Sequence, residues 1–269
     1  MKINKIKLIY FSPTGTTQKV LESIAEGIKV ENVENINLTL KENTNQSITS
    51  LSNELVIIGV PVYGGRLPVD AINRFKQLKA NKSLAIIIVV YGNREFDDAL
   101  LELKNLTIDL GLIPLVGGAF IGEHSFATTE FPIANGRPDS QDIQKAIDLG
   151  RKIKDKLTEI ESPDDHKELE IPGRFPYESK LKSMPFAPVT KDDICLTCGT
   201  CAKVCPNEAI SINGRVTTIM ERCICCCACI KNCPSGARLW EDSMIKDITK
   251  RLNKNCSTRK EPQIYGMSI

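Results

Sequence analysis

Eight of the eleven cysteines stand in two copies of one pattern. The first reads Cys195-x2-Cys198-x2-Cys201-x3-Cys205, followed by Pro206; the second reads Cys223-x2-Cys226-x2-Cys229-x3-Cys233, followed by Pro234. Three thiolates at every third position of a tight loop turn toward one centre, and a cubane needs a fourth from elsewhere. The double run is the bacterial spacing for two [4Fe–4S] clusters, in which the fourth cysteine of each run serves the other cluster. One cluster is therefore expected on Cys195, Cys198, Cys201 and Cys233, and the second on Cys223, Cys226, Cys229 and Cys205. The prolines end each local turn, because proline donates no backbone hydrogen bond. Zinc is the competing reading, but zinc sites take cysteines in pairs and not in runs of four closed by Cys-Pro. Such a chain moves single electrons.

Over about residues 190–240 the module resembles a bacterial 2[4Fe–4S] ferredoxin, which implies a small α+β domain. Cys225 and Cys227 fall between the ligands and outside their register. They read as small apolar packing beside the cluster; the alternative is a spare ligand during cluster assembly or damage. Cys256, in a Lys/Arg-rich tail, reads as a surface thiol. The basic stretch Lys246–Lys260 reads as a solvated helix and a frayed end.

A length of 269 residues suits two domains. The formal charge of +2, from 35 basic and 33 acidic residues, calls for no polyanion such as nucleic acid. The longest strongly apolar run, Leu84–Tyr91, is far too short for a membrane span. Met1–Phe11 reads as a first strand with no signal cleavage site. So many cysteines in an unsecreted chain point to metal ligation, not disulfides, and to a reducing, oxygen-poor cytoplasm.

The first 160 residues alternate strands and helices. Ile3–Phe11, Val33–Leu38, Glu54–Val60, Leu84–Tyr91 and Pro114–Ile121 read as strands, several of them continuous apolar runs of the kind buried on both faces. Thr14–Lys29, Asp70–Leu78, Glu95–Leu110 and Gln141–Leu157 read as helices. Five strands alternating with helices predict an α/β fold, a doubly wound parallel sheet, with ligands beyond the carboxyl ends of its strands.

Three loops at that edge carry the chemistry. Ser12-Pro13-Thr14-Gly15-Thr16-Thr17 places hydroxyls and a glycine at a helix N-terminus, where free N–H groups and the helix dipole favour a phosphate. No lysine follows, so it is not a nucleoside triphosphate loop of the Walker type. Pro61-Val62-Tyr63-Gly64-Gly65 and Tyr91-Gly92-Asn93 each offer an aromatic ring and glycines, suited to a flat ligand approached closely by backbone. Each tyrosine also has a plainer reading, as a strand-end anchor. The pattern Ser-x-Thr-Gly-x-Thr resembles the FMN phosphate loop of flavodoxins. Over residues 1–160 that resemblance implies a flavodoxin-like five-stranded sheet of order 2-1-3-4-5. It also implies FMN at Ser12, Thr14, Gly15, Thr16, Thr17, Pro61, Val62, Tyr63, Gly64, Gly65, Tyr91, Gly92 and Asn93. His124, after the fifth strand, reads as structural; the alternative is a proton donor near the flavin.

The whole chain resembles the flavodoxin–ferredoxin fusion proteins of anaerobic bacteria. Its parts are expected at 1–160 (flavodoxin-like), 161–187 (a Pro-rich junction, either a wrap that sets the cofactor distance or a passive spacer), 188–242 (ferredoxin) and 243–269 (basic helix and tail). The resemblance implies electron transfer between FMN, two [4Fe–4S] clusters and a redox partner protein or small electron donor or acceptor. The runner-up is an FMN-dependent reductase of a small organic substrate fed by the clusters, and a third reading is a redox sensor. No Gly-x-Gly-x-x-Gly follows a predicted strand, so NAD(P)H as direct donor is not supported. No residue pair suggests a nucleophile and its base, so the hard chemistry falls to the cofactors.

Overall fold

The structure, a computed structural model, describes residues 3–41, 54–80, 82–162, 167–177 and 186–267. Pro163 and Pro185 of the predicted junction lie outside them. The first unit runs β1 (Lys5–Tyr10), α1 (Thr16–Ile28), β2 (Asn32–Asn37), β3 (Glu54–Pro61), α2 (Val69–Phe75), β4 (Leu84–Tyr91), α3 (Ala99–Asp109), β5 (Ile113–Ile121) and α4 (Ser140–Glu159). Its parallel strands lie in the order β2-β1-β3-β4-β5, the flavodoxin-like arrangement.

The alternation of side chains along each strand explains why the central runs are apolar throughout. Residues of one parity, such as Ile9, Ile58, Ile87 and Val89, join a core with α2 and α3. Residues of the other, such as Leu8, Ile57, Ile86 and Ile88, join a second core with α1 and α4. A strand buried on both faces has no polar side to show. On the second face α1 and α4 meet through two glycines. A Cβ on Gly27 would lie 2.0 Å from the Ile147 carbonyl oxygen, and one on Gly150 would lie 2.1 Å from that of Ile24. The helices can approach this closely only because both positions lack a side chain. Asp139 caps α4 through a capping box with Asp142. Helix α3 starts later than its apolar pattern suggests, because Asn93 and Asp97 adopt positive φ (61° and 43°) and hold the preceding loop out of the helix.

The described part of the junction runs along α3 of this unit. Glu168 accepts from Lys104 Nζ at 2.8 Å, and the Tyr177 hydroxyl from Asn105 Nδ2 at 2.8 Å. The Arg66 guanidinium lies 4.3 Å from the Tyr177 ring centre, and Leu169 is buried. These contacts lay the described part of the junction against the first unit.

The second unit contains β6 (Val189–Thr190), α5 (Thr200–Lys203), β7 (Ile210–Asn213), β8 (Arg215–Thr218), α6 (Ala228–Lys231) and β9 (Arg238–Leu239). Strands β6 and β9 pair antiparallel, as do β7 and β8. Helix α7 (Ser243–Asn255) follows, then β10 (Gln263–Tyr265).

The tail corrects two sequence expectations. It does not fray: β10 pairs antiparallel with β5 and becomes a sixth strand of the large sheet. Three residues are too short to show alternation, but they cover an edge that would otherwise leave ladder groups unpaired. Nor is Cys256 a surface thiol; it is buried with Ala127, Ile133 and Leu252 where α7 returns to the first unit. Among the described residues no helix is long and apolar enough to cross a membrane.

Candidate functional site

The loop between β1 and α1 is the candidate phosphate site. Gly15, at φ 80°, is the N-cap of α1 and has no side chain to cap it. The N–H groups of Thr16 and Thr17, at the start of the helix, have no intrahelical acceptor. The Ser12 hydroxyl accepts from Gln18 N at 3.1 Å, and Ser12 N donates to Thr39 Oγ1 at 2.8 Å, which fixes the loop on the chain beyond β2. Thr17 Oγ1 is buried and has no hydrogen-bond partner. A buried hydroxyl left unpaired is costly, so a ligand acceptor there would remove the cost. Thr14, Gly15, Thr16 and Lys19 line a cavity of about 350 Å³, closed from the far side by Glu123, Arg137 and Lys231. The phosphate end of a flavin nucleotide fits this donor set.

Tyr63 and Arg66 exchange backbone hydrogen bonds at 2.9 and 3.1 Å, closing the turn that carries Gly64 and Gly65. Pro61, Val62 and Tyr63 are half-buried. Burial holds the Tyr63 phenol well above its ordinary pKa, and the thiols of Cys226, Cys227, Cys225 and Cys223 push the same way. The second unit therefore lies over this loop, and Ile224 packs against the first unit's core.

The loop after β4 departs from its sequence reading. Tyr91 is only 2% exposed, inside the core beside Phe96, and burial pushes its phenol up to about 12. It is a strand-end anchor and offers no ring face to a ligand. The Asn93 amide donates to the carbonyls of Cys256 at 2.6 Å and Thr258 at 2.9 Å, and its Oδ1 accepts from Lys260 N at 3.4 Å. Its side chain thus anchors the tail, a role nothing in the local sequence signals.

His124 lies against this loop: a Cβ on Gly92 would sit 2.5 Å from its ring. Its Nδ1 accepts from Phe126 N at 3.0 Å, so the neutral ring carries its proton on Nε2. Burial, with help from Arg94 and Lys231, lowers its pKa to about 4. At neutral pH it can donate a hydrogen bond but holds no acidic proton, in keeping with the structural reading.

All eleven cysteines are free thiols. Among the described residues no group of three or more His, Cys, Asp or Glu closes on a single metal ion. Cys205, Cys223, Cys226 and Cys229 instead share the wall of one small cavity, with Pro206, Ile224 and Thr218 around them. These are the four positions expected of one cluster, crossover included. In the other set, Cys195 packs beside Cys201, and the Cys233 thiol is near enough to act through space on both Cys198 and Cys201. The two remaining thiols of the second run have further contacts, although the Cys225 thiol also hydrogen-bonds that of Cys223. Cys225 Sγ lies 3.5 Å from the Phe186 carbonyl oxygen, and Cys227 Sγ accepts from Trp240 Nε1 at 3.3 Å. Burial pushes the Cys227 thiol up to about 12, so it stays a neutral packing group. Both have positive φ (55° and 62°), and these left-handed steps turn the chain so that Cys226 faces the cavity wall between them.

Residues 7–109 match the family model of the flavodoxin domain, and residues 188–211 that of the 4Fe-4S binding domain. No curated protein matches the chain. Solved structures with a similar fold include a flavodoxin from the domain Archaea, with 15% identity, TM-score 0.37, and coverage of 57% of this chain and 99% of that one. A Fusobacterium nucleatum flavodoxin bound to flavin mononucleotide has 16% identity and TM-score 0.39, with 56% and 98% covered. The Flv1 flavodiiron core from Synechocystis sp. PCC6803 has 20% identity and TM-score 0.40; 59% of this chain spans 37% of that one.

Fold, donor sets and family matches define an electron-transfer flavo-iron–sulfur protein. This chain is a fusion, with a flavodoxin domain at its N-terminal side and a 4Fe-4S binding domain after it.

Proposed function

We propose that the chain passes electrons between FMN and two [4Fe–4S] clusters, and exchanges them with an external redox partner in the cytoplasm. Ser12, Thr14, Gly15, Thr16 and Thr17 would hold the phosphate, and the loop at 61–65 would flank the ring. Cys195, Cys198, Cys201 and Cys233 would hold one cluster, and Cys223, Cys226, Cys229 and Cys205 the other. When bound, the flavin exchanges one or two electrons and each cluster one, so two-electron and one-electron traffic meet in this chain.

The observation that carries the reading is the placement of Tyr63. The flavin-side loop has the thiols of the 223–227 loop beside it, and Ile224 of that loop packs against the first unit's core. Packing of the two loops against one another serves electron exchange. The same covering works against reduction of a small organic substrate, which needs an open flavin face. The test is anaerobic stopped-flow reduction of protein made without oxygen. The expected result is bound FMN with two clusters, whose absorbances bleach together with no turnover of a small acceptor. Protein carrying zinc or one cluster, or a flavin and clusters that exchange no electrons, overturns it.

Thr17 supplies a finer test. Its buried, unpartnered hydroxyl is assigned to the phosphate, and a lost hydrogen bond to a charged group costs about 1.5–3 kcal/mol. Thr17→Val is expected to weaken FMN about ten- to a hundred-fold and riboflavin, which has no phosphate, far less. Fluorescence titration of both ligands measures the ratio; equal losses would mean that Thr17 acts through folding.

A further inference from the structure

Arg74 lies within α2 and is 5% exposed. Its guanidinium joins the two units. Nη1 donates to the carbonyls of Leu38 at 2.9 Å and Thr39, just beyond β2. Nη2 donates to the Pro206 carbonyl at 2.6 Å and to Asn207 Oδ1 at 3.0 Å, in the turn that follows Cys205. The Phe11 ring centre lies 5.3 Å away on the first unit's side. Thr39 in turn holds Ser12 of the phosphate loop, so one side chain connects the supports of both sites.

Every one of these acceptors is a neutral oxygen. Among the described residues no carboxylate pairs with Arg74. Asp70 on the same helix and Glu208 act on it only through space, as does the Cys205 thiol, and Glu208 has its own partner in Lys41 at 3.5 Å. Arginine keeps its charge under all ordinary conditions. A full positive charge is therefore held at a buried junction with no negative group in contact, an arrangement that costs free energy unless something nearby compensates it. Cys205, whose neighbouring residues supply two of the four bonds, is the site of such a compensation.

We infer that Arg74 is a positioning and charge-tuning residue for the cluster held through Cys205, making that cluster easier to reduce than the one on Cys195, Cys198, Cys201 and Cys233. The inference rests on the ligand sets proposed above. Reduction adds one electron and one unit of negative charge to the cluster and its four thiolates; no bond forms or breaks. A fixed cation across the Cys205 turn favours the more negative form. The outer set, with Cys198 exposed, has the buried Arg238 near Cys201, but Arg238 also acts on Cys223 and Cys229; it is common to both sets, and Arg74 adds its charge on the Cys205 side.

The test is a redox titration of the holoprotein with dithionite, followed by electron paramagnetic resonance of both clusters. Wild type must first show two resolvable [4Fe–4S] signals; their absence overturns the proposed function itself, before any variant is made. Arg74→Gln, which removes the charge and keeps hydrogen-bonding capacity, is expected to disfavour reduction of one cluster about tenfold, or about 59 mV for a one-electron couple. The other cluster should stay in place. Arg74→Lys, which keeps the charge, should retain the wild-type potential more nearly. Equal shifts of both clusters, no shift, or a Lys variant that matches Gln overturns the tuning role. Should Arg74→Gln fail to fold, Asn207→Asp decides. It is isosteric, still accepts from Nη2, and neutralises the guanidinium. It is expected to lower the potential of the same cluster alone, and the absence of that shift overturns the inference.

Discussion

Cys226→Ser is expected to remove one [4Fe–4S] cluster, and Cys225→Ser, one residue away, to leave both in place. On the proposed ligand sets Cys226 stands with Cys205, Cys223 and Cys229 around one cavity. Cys225 is turned toward the Phe186 carbonyl and Cys227 toward Trp240. Serine offers no thiolate, so a cubane that loses one of four ligands loses its iron or collapses to a smaller cluster. The crossover sharpens the expectation. Cys205→Ser should damage the same cluster as Cys226→Ser, although the two residues belong to different runs. Cys233→Ser should damage the one served by Cys195, Cys198 and Cys201. Iron counts on anaerobic protein, with electron paramagnetic resonance of each reduced variant, read this directly. Loss of a cluster in Cys225→Ser with retention in Cys226→Ser would shift the ligand register by one residue. Damage to different clusters in Cys205→Ser and Cys226→Ser would end the crossover.

Arg137→Met should produce the largest loss of stability from a residue outside the cysteine runs. Arg137 grips Asp142 through Nε at 2.8 Å and Nη2 at 2.5 Å, and its Nη1 donates to the Lys260 carbonyl at 2.9 Å. The Asp142 side chain has no exposure at all. Breaking a buried pair by removing one partner leaves a charge stranded out of water, typically at about 3–5 kcal/mol. Here the low end is expected, because Asp142 still accepts from Asp139 N at 3.0 Å and has Arg259 Nη2 at 3.3 Å. The tail should loosen as well, since Lys260 loses its bond. Lys145→Met is the control, because it breaks the exposed pair with Glu261, and exposed pairs contribute about 0–1 kcal/mol. Denaturant unfolding of both variants under the same anaerobic conditions compares them. Equal losses would mean that the Arg137–Asp142 pair is no more than a surface contact.

The features legible in the sequence are those whose physics is local. The periodicity of Leu84–Tyr91 and Glu54–Val60 marks strands buried on both faces, because period-2 alternation disappears when neither face meets water. Thr14–Thr17 reads as a candidate anion site because hydroxyls and a glycine stand together at a helix N-terminus. The spacing of the cysteine runs carries its own geometry, and on that spacing Cys225 and Cys227 read as lying outside the ligand sets.

Other roles depended on partners far along the chain. Tyr91 followed by Gly92 looks the same whether its ring meets a ligand or the core; the parity of β4 sends it into the core. Asn93 holds Cys256 and Thr258, more than 160 residues away, and no local pattern encodes such a bond. The tail reads as a charged, solvated end because its basic residues have no visible partners in sequence. Folded, Arg259 meets Asp139, and Lys260 meets Glu95, while Gln263–Tyr265 is fixed by an open sheet edge. Arg74 reads as one more helix cation, and only the docking of the Cys205 turn buries it against that turn.

By itself the sequence determined the alternation of strands and helices, the double cysteine spacing and the candidate loop at residues 12–17, because each is a pattern of neighbouring residues. Only the tertiary structure decided how the two units meet, with the 223–227 loop over Tyr63, Arg74 between Cys205 and the phosphate loop, and the tail along β5. Those arrangements are set by which surfaces exclude water together and which backbone groups remain to be paired, and both are properties of the assembled chain.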